Sequence, residues 1–176
     1  MKHSAVKLKR ILTRLFCLRH IDLRCGYLGG LIMLIFTVLI RLLSGSPYRV
    51  YCVLRGSDFL PSLATLTFVN LLLTIAMGFA CGLVLSCPRR SRQGIKYRGG
   101  MLFVLLTVFW LAAYPLVFQG CLLALALLSL ILTWILCLGC VSLFFRVNPL
   151  SGWISVIFLF WLTYLILGLL GCILWM

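Results

Sequence analysis

Acidic and imidazole side chains are nearly absent from this chain. Among 176 residues the acids are Asp22 and Asp58, and the histidines are His3 and His20. All four lie in or beside the segments that flank long apolar runs, so none of those runs contains a group suited to acid–base catalysis. Proton relays and ion-coupled carriers also need ionisable groups within the membrane. The sequence therefore argues against an enzyme and against a proton-driven pump.

Charge is scarce for a chain of this size. Only 10% of the residues are charged and 64% are hydrophobic, whereas a soluble domain carries charge on about a quarter of its residues. The 16 Lys and Arg residues give a net charge of +14, and they cluster between the apolar runs. This placement is typical of membrane flanks that face anionic lipid, and not of a nucleic-acid-binding surface. The sequence predicts an integral membrane protein that does not bind nucleic acid.

Complete metal-ligand patterns are missing despite nine cysteines. Cys137-x-x-Cys140 has half of a zinc spacing, but no second pair and no histidine lies at a matching depth. Thiols within apolar runs usually act as small packing groups. We therefore expect no metal site and no covalently bound cofactor.

What remains is a series of apolar runs. Roughly 45 residues without a charge, from 101 to 145, are too many for one span of about 20 residues, so the chain must turn, and Gln119-Gly120 is the natural place. Arg146-Val147-Asn148-Pro149 is a second break. We predict an all-α membrane protein: a bundle over 25–176 with five transmembrane helices at about 27–43, 61–86, 101–118, 121–145 and 153–175.

The basic residues predict the orientation of the bundle. Residues 1–24 carry seven of them and read as a basic amphipathic segment lying on the inner membrane surface, with a disordered basic tail as the alternative. The joints between spans two and three and between spans four and five carry five and one, whereas the other side carries Arg49 and Arg55. The positive-inside rule places the N-terminus in the cytoplasm and the C-terminus outside. A bacterial inner membrane fits this asymmetry better than a mitochondrial one.

Aromatic and glycine residues are the remaining features of the spans. The aromatic residues within them pack against lipid and neighbouring helices, or else line a flat apolar pocket for a planar or sterol-like ligand. Gly78-x-x-x-Gly82 would allow a neighbouring helix to approach closely. The inner aromatic residues are Trp110, Tyr114, Trp134, Trp161 and Tyr164.

Four short stretches in the C-terminal two-thirds carry a family resemblance. Residues 76–80 read Ala-Met-Gly-Phe-Ala, and residues 114–120 read Tyr-Pro-Leu-Val-Phe-Gln-Gly. Residues 145–152 read Phe-Arg-Val-Asn-Pro-Leu-Ser-Gly, and Phe-Leu-Phe-Trp follows at 158–161. In order and spacing, this region from about residue 60 to 176 resembles the TspO/MBR family, the translocator or tryptophan-rich sensory proteins.

The resemblance implies a five-helix membrane bundle with a cavity for porphyrins and, in some members, sterols. Trp110, Tyr114, Phe158 and Trp161 match positions that line this cavity, and Asn70 stands where the family has a tryptophan. Arg49 and Arg55, in the loop after span one, would then form a lid and pair with ligand carboxylates.

Two functions follow as hypotheses. The first is binding of a porphyrin, haem-like or sterol-like molecule between the helices, for sensing or transport, with the anionic bilayer and a homodimer as further partners. The second is a small membrane interaction or regulatory subunit that docks through Gly78 and Gly82 and takes no small-molecule ligand.

Overall fold

The computed structural model describes residues 23–44, 62–87, 93–118 and 123–174. Within these residues the chain forms five α-helices and no strand, and all five helices are long and apolar enough to cross a membrane. This confirms the predicted all-α, five-helix membrane fold. The helices are α1 (Leu23–Leu43), α2 (Leu63–Ser86), α3 (Gln93–Phe118), α4 (Leu123–Val147) and α5 (Pro149–Leu174).

Helix α3 begins well before the apolar run that identified it. It starts at Gln93 and includes Lys96 and Arg98, whereas the sequence placed the span from about Met101. Its first turns therefore carry basic side chains beyond the apolar stretch. The N-terminal segment lies almost entirely outside the described residues, and the orientation of the termini stays a prediction.

Local sequence explains where two of the helices begin. Ser62 caps α2, because its hydroxyl accepts a hydrogen bond from the backbone N–H of Thr65 at 3.2 Å. Asn148 is the one residue between α4 and α5, and its Oδ1 accepts from the N–H of Leu150 at 3.1 Å. Pro149 then occupies the first position of α5, where its missing N–H costs nothing. The α4–α5 turn is consequently tight.

Glycines bring α1 and α2 into backbone contact. A Cβ on Gly78 would lie 2.5 Å from the carbonyl oxygen of Gly29. A Cβ on Gly82 would overlap the carbonyl oxygen of Cys25. The Gly78-x-x-x-Gly82 face thus packs against α1 of the same chain, as small-residue motifs commonly do between membrane helices.

The neighbour relations place the helices around the bundle in the order α1, α2, α5, α4, α3. The α1–α2, α3–α4 and α4–α5 interfaces are extensive, α2 also contacts α5, and α1 and α3 touch only slightly. Buried side chains such as Met77, Leu106, Phe144 and Leu162 form the core, while large apolar side chains such as Phe160 point outward. An apolar exterior is what a lipid solvent requires.

Candidate functional site

Trp110 and Phe158 meet in the interior of the bundle. Trp110 comes from α3 and Phe158 from α5, and their ring centroids lie 5.3 Å apart at an interplanar angle of 77°, an edge-to-face pair. Both side chains are buried. The indole N–H of Trp110 donates to Thr74 Oγ1 on α2 at 3.0 Å. Two residues that the sequence singled out are therefore in contact, and one of them, Trp110, is also hydrogen-bonded to a third helix, α2.

Trp161 forms a second contact of the same kind. Its indole N–H donates to Oδ1 of Asn70 on α2. Its ring lies beside that of Tyr164, with centroids 5.3 Å apart and the planes tilted by 30°. Trp161 is half-buried and Tyr164 is 38% exposed. This pair therefore lies nearer the surface than Trp110 and Phe158.

Helix α2 supplies the polar partners of both indoles. Asn70 and Thr74 are four residues apart and so share one face of the helix. The Thr74 hydroxyl also donates to the backbone carbonyl oxygen of Asn70 at 2.6 Å. Polar groups inside a membrane are costly unless they are paired, and here each indole N–H has an acceptor. We call this set the aromatic–polar cluster; its members are Asn70, Thr74, Trp110, Phe158, Trp161 and Tyr164.

Thr74 is the member that the sequence reasoning missed. The available signal was its position one helical turn after Asn70. A lone threonine in an apolar span is usually satisfied by the carbonyl one turn before it, and Thr74 does make that bond. Its second role, as acceptor for Trp110, depends on the packing of α2 against α3 and is invisible in the sequence.

Trp134 lies elsewhere. Its indole N–H donates to Thr163 Oγ1 at 2.9 Å, at the interface of α4 and α5. Thr163 is two residues after Trp161, which is about 200° around the helix. Trp134 and Trp161 therefore contact different sides of α5, and the structure does not bring Trp134 to the aromatic–polar cluster.

Three other predicted site residues have no described side chain. Tyr114 belongs to α3, four residues after Trp110, and its side chain lies outside the described residues. Arg49 and Arg55, the predicted lid, lie outside them as well. Their roles stay predictions.

An open apolar groove of about 770 Å³ lies between α1 and α3. It is on another side of α3 from the aromatic–polar cluster: Val108 lines the groove, and Trp110, two residues on, is turned by about 200°. The sequence reasoning did not predict the groove, because it depends on how far α1 stands from α3. Its walls include Met33, Phe36, Ile40, Thr107, Val108 and Pro115.

The cysteine pair in α4 is part of the core. Cys137 and Cys140 are fully buried, and the Cys137 thiol lies 3.6 Å from the backbone oxygen of Ser155. In the part of the chain that the structure describes, no group of three or more potential metal ligands comes together.

A protein-family model described as the TspO/MBR family matches residues 29–175. No curated protein matches the chain, and no solved structure does.

Proposed function

The chain is a member of the TspO/MBR family, and from that premise we propose that it binds a hydrophobic, planar, ring-bearing ligand such as a porphyrin between its helices, for sensing or transport. The aromatic–polar cluster is the proposed site. Family membership over nearly the whole chain supports the class of ligand. The position of the cluster, on facing sides of three helices, supports it as the binding site.

The observation that carries the proposal is the pair of indole hydrogen bonds to α2. Small-molecule sites are mostly apolar, with a few convergent polar groups that orient the ligand. Here the indole donors of Trp110 and Trp161 bond to Thr74 and Asn70, which share one face of α2. Aromatic faces would stack on a planar ring, and the amide of Asn70 offers a polar group to its edge.

The proposed entrance is at Trp161 and Tyr164. Trp110 and Phe158 are closed in by their neighbours, whereas Trp161 is half-buried and Tyr164 is more exposed still. A ligand that arrives through the bilayer would reach this pair first, at the contact between α2 and α5. Ligand carboxylates would remain near the headgroups, where Arg49 and Arg55 are the predicted partners.

The proposed role is non-enzymatic. The described helices contain no acid and no histidine, and general acid–base chemistry needs such groups beside the reacting atoms. A porphyrin in this site is a ligand or cargo, and no covalent attachment is proposed.

The experiment is equilibrium binding of protoporphyrin IX to the protein in nanodiscs, followed through the absorbance of the ligand. We expect Trp161→Ala to raise the dissociation constant by roughly fivefold or more, the equivalent of about 1 kcal/mol for a stacking anchor. The matched control is Trp153→Ala, because Trp153 is 59% exposed and belongs to the same helix, where its ring contacts Phe145. Equal affinities of the two variants would remove Trp161 from the site.

Docking of a partner subunit through Gly78 and Gly82 has less support. Both glycines already lie against the backbone of α1. A partner helix would have to displace α1 to reach them.

A further inference from the structure

Trp161 fixes the orientation of the Asn70 side-chain amide. An indole N–H can only donate a hydrogen bond, so the amide atom that faces it must be the oxygen, Oδ1. The amide nitrogen, Nδ2, is bonded to the same carbon and therefore points away from the indole. The end of the amide that is left for another partner is consequently the donor.

The Asn70 donor has no hydrogen-bond partner in the part of the chain that the structure describes. The bonds of Asn70 there are those that its Oδ1 accepts from Trp161 and its backbone oxygen accepts from Thr74. Among the same residues, the amide nitrogen of Asn148 is buried without a partner, whereas that of Asn70 is not fully buried. The two N–H groups on the Asn70 Nδ2 are therefore accessible.

The depth of Asn70 in the membrane makes an unpaired donor costly. Asn70 lies eight residues after the Ser62 cap, which is about 12 Å along a helix of about 36 Å. This level is within the hydrocarbon core, where no water is available as an acceptor. The exposed side chains on either side of it in α2, Phe68 and Leu72, are apolar. In these surroundings, the acceptor is one that a membrane-soluble molecule brings with it.

The side chains beside Asn70 favour a ring-bearing molecule over a lipid chain. Trp161 is half-buried and Tyr164 is 38% exposed, so both rings offer part of their surface next to the amide. An acyl chain carries no acceptor at this depth and would leave the donor unpaired. A flat apolar ring with an acceptor at its edge would contact the aromatic side chains and pair with the Nδ2 at the same time.

From these features we propose that Asn70 is a specificity-determining residue, whose amide donor selects ring-bearing ligands that carry a hydrogen-bond acceptor, such as a carbonyl or carboxylate, at the edge of the ring. A ligand of similar shape without an acceptor binds more weakly, because it leaves the donor unpaired. This inference rests on the function proposed above and adds what the ligand must carry.

The test compares two porphyrins that differ mainly in the acceptor. Mesoporphyrin IX dimethyl ester has two side chains that end in ester carbonyls, and etioporphyrin III has ethyl groups in their place. Neither porphyrin carries a charged side chain, so the comparison does not depend on the predicted lid arginines. Binding to the protein in nanodiscs is followed through ligand absorbance and corrected for partitioning with empty nanodiscs. We expect wild-type protein to bind the ester at least threefold more tightly than etioporphyrin.

The decisive variant is Asn70→Leu, which removes the amide donor. It should lower the preference for the ester at least threefold, and its binding of etioporphyrin reports that the site still forms. The matched control is Thr163→Val. This change removes the acceptor of the Trp134 indole, as Asn70→Leu removes that of Trp161, but at a position outside the aromatic–polar cluster. Thr163→Val should keep the wild-type preference.

A second readout needs no variant. In mesoporphyrin dimethyl ester labelled with carbon-13 at the ester carbonyls, the infrared carbonyl stretch should lie at lower wavenumber when the ligand is bound to wild-type protein than in empty nanodiscs. A shift of this sign is what a hydrogen bond to the carbonyl produces. An unshifted band for the bound ester would overturn the inference.

The remaining outcomes separate this inference from the proposed function. Equal affinities of wild-type protein for the two porphyrins, or a preference that Asn70→Leu retains, would overturn the inference and leave the function intact. An equal loss of preference in Thr163→Val would assign the effect to an unpaired indole and would overturn it too. Wild-type protein that binds neither porphyrin saturably would overturn the proposed function and the inference with it.

Discussion

At the scale of single residues, the indole N–H groups of Trp110 on α3 and Trp161 on α5 link both of these helices to α2 by hydrogen bonds. Each indole has one hydrogen-bond donor, and the hydrocarbon core of a membrane contains no water that could accept a bond from it. Thr74 and Asn70, on one face of α2, accept the hydrogen bonds of the two indoles. Asn70 therefore has a defined hydrogen-bonding partner in Trp161.

The Trp161–Asn70 bond predicts non-additive stabilities. Asn70→Leu leaves the Trp161 donor unpaired and should lower the free energy of unfolding by about 1–2 kcal/mol. Trp161→Phe removes the donor and keeps an aromatic ring, so the double variant should be less destabilised than the sum of the single variants by about 0.5–1.5 kcal/mol. Unfolding of the four proteins in mixed micelles measures this cycle. Additive losses would mean that the bond contributes nothing.

Much of the residue-level site was predictable, and one part was not. Position within the spans and the family resemblance named Asn70, Trp110, Phe158 and Trp161, and the structure brings these residues together in two contacts. The sequence also predicted Trp134 as a site residue, because a single sequence does not show which side of α4 faces which side of α5. Hydrogen bonds between helices, such as that of Trp110 to Thr74, depend on rotation and depth to within an ångström or two.

At the scale of helices, α1 and α2 pack so closely at their glycines that no side chain fits between the two backbones. A Cβ at Gly78 would meet the backbone oxygen of Gly29 and the Met33 side chain, and neither helix can shift without losing the other glycine contacts. Helix α1 has little else to pack against, because it touches α3 only slightly. The position of α1, and with it the groove, depends on these glycines.

We therefore expect Gly78→Ala to destabilise the protein by about 1–3 kcal/mol, the usual cost of overpacking. The control is Gly171→Ala in α5, where an added Cβ would meet nothing within 4 Å and should be neutral or slightly stabilising. Thermal unfolding in detergent compares the two. Equal midpoints would contradict the close α1–α2 contact.

The number of helices was predictable from the sequence, whereas their spacing was not. Apolar run length and the Asn148-Pro149 break were enough to separate five spans. The early start of α3 was missed because basic residues end an apolar run without ending a helix. The gap between α1 and α3 arises because the glycine contacts hold α1 against α2. This packing is a property of the assembled bundle.

At the scale of the whole molecule, the basic residues predict which way the bundle crosses the membrane. Alkaline phosphatase fused after residue 176 should be active in a bacterial host, because it would be exported. The same enzyme fused after Arg92, in the basic joint between α2 and α3, should be inactive. The reverse pattern would place the N-terminus outside and would contradict the positive-inside assignment.

The central claim is that this family member has one saturable site for a planar hydrophobic ligand between its helices. The most direct measurement is a titration of protoporphyrin IX into the protein in nanodiscs, following the fluorescence of its five tryptophans against empty nanodiscs that contain free tryptophan. We predict quenching that saturates at about one porphyrin per protein, because stacking beside Trp161 brings the ring into contact with an indole. Quenching that rises linearly with porphyrin, as partitioning into lipid would give, would contradict the claim.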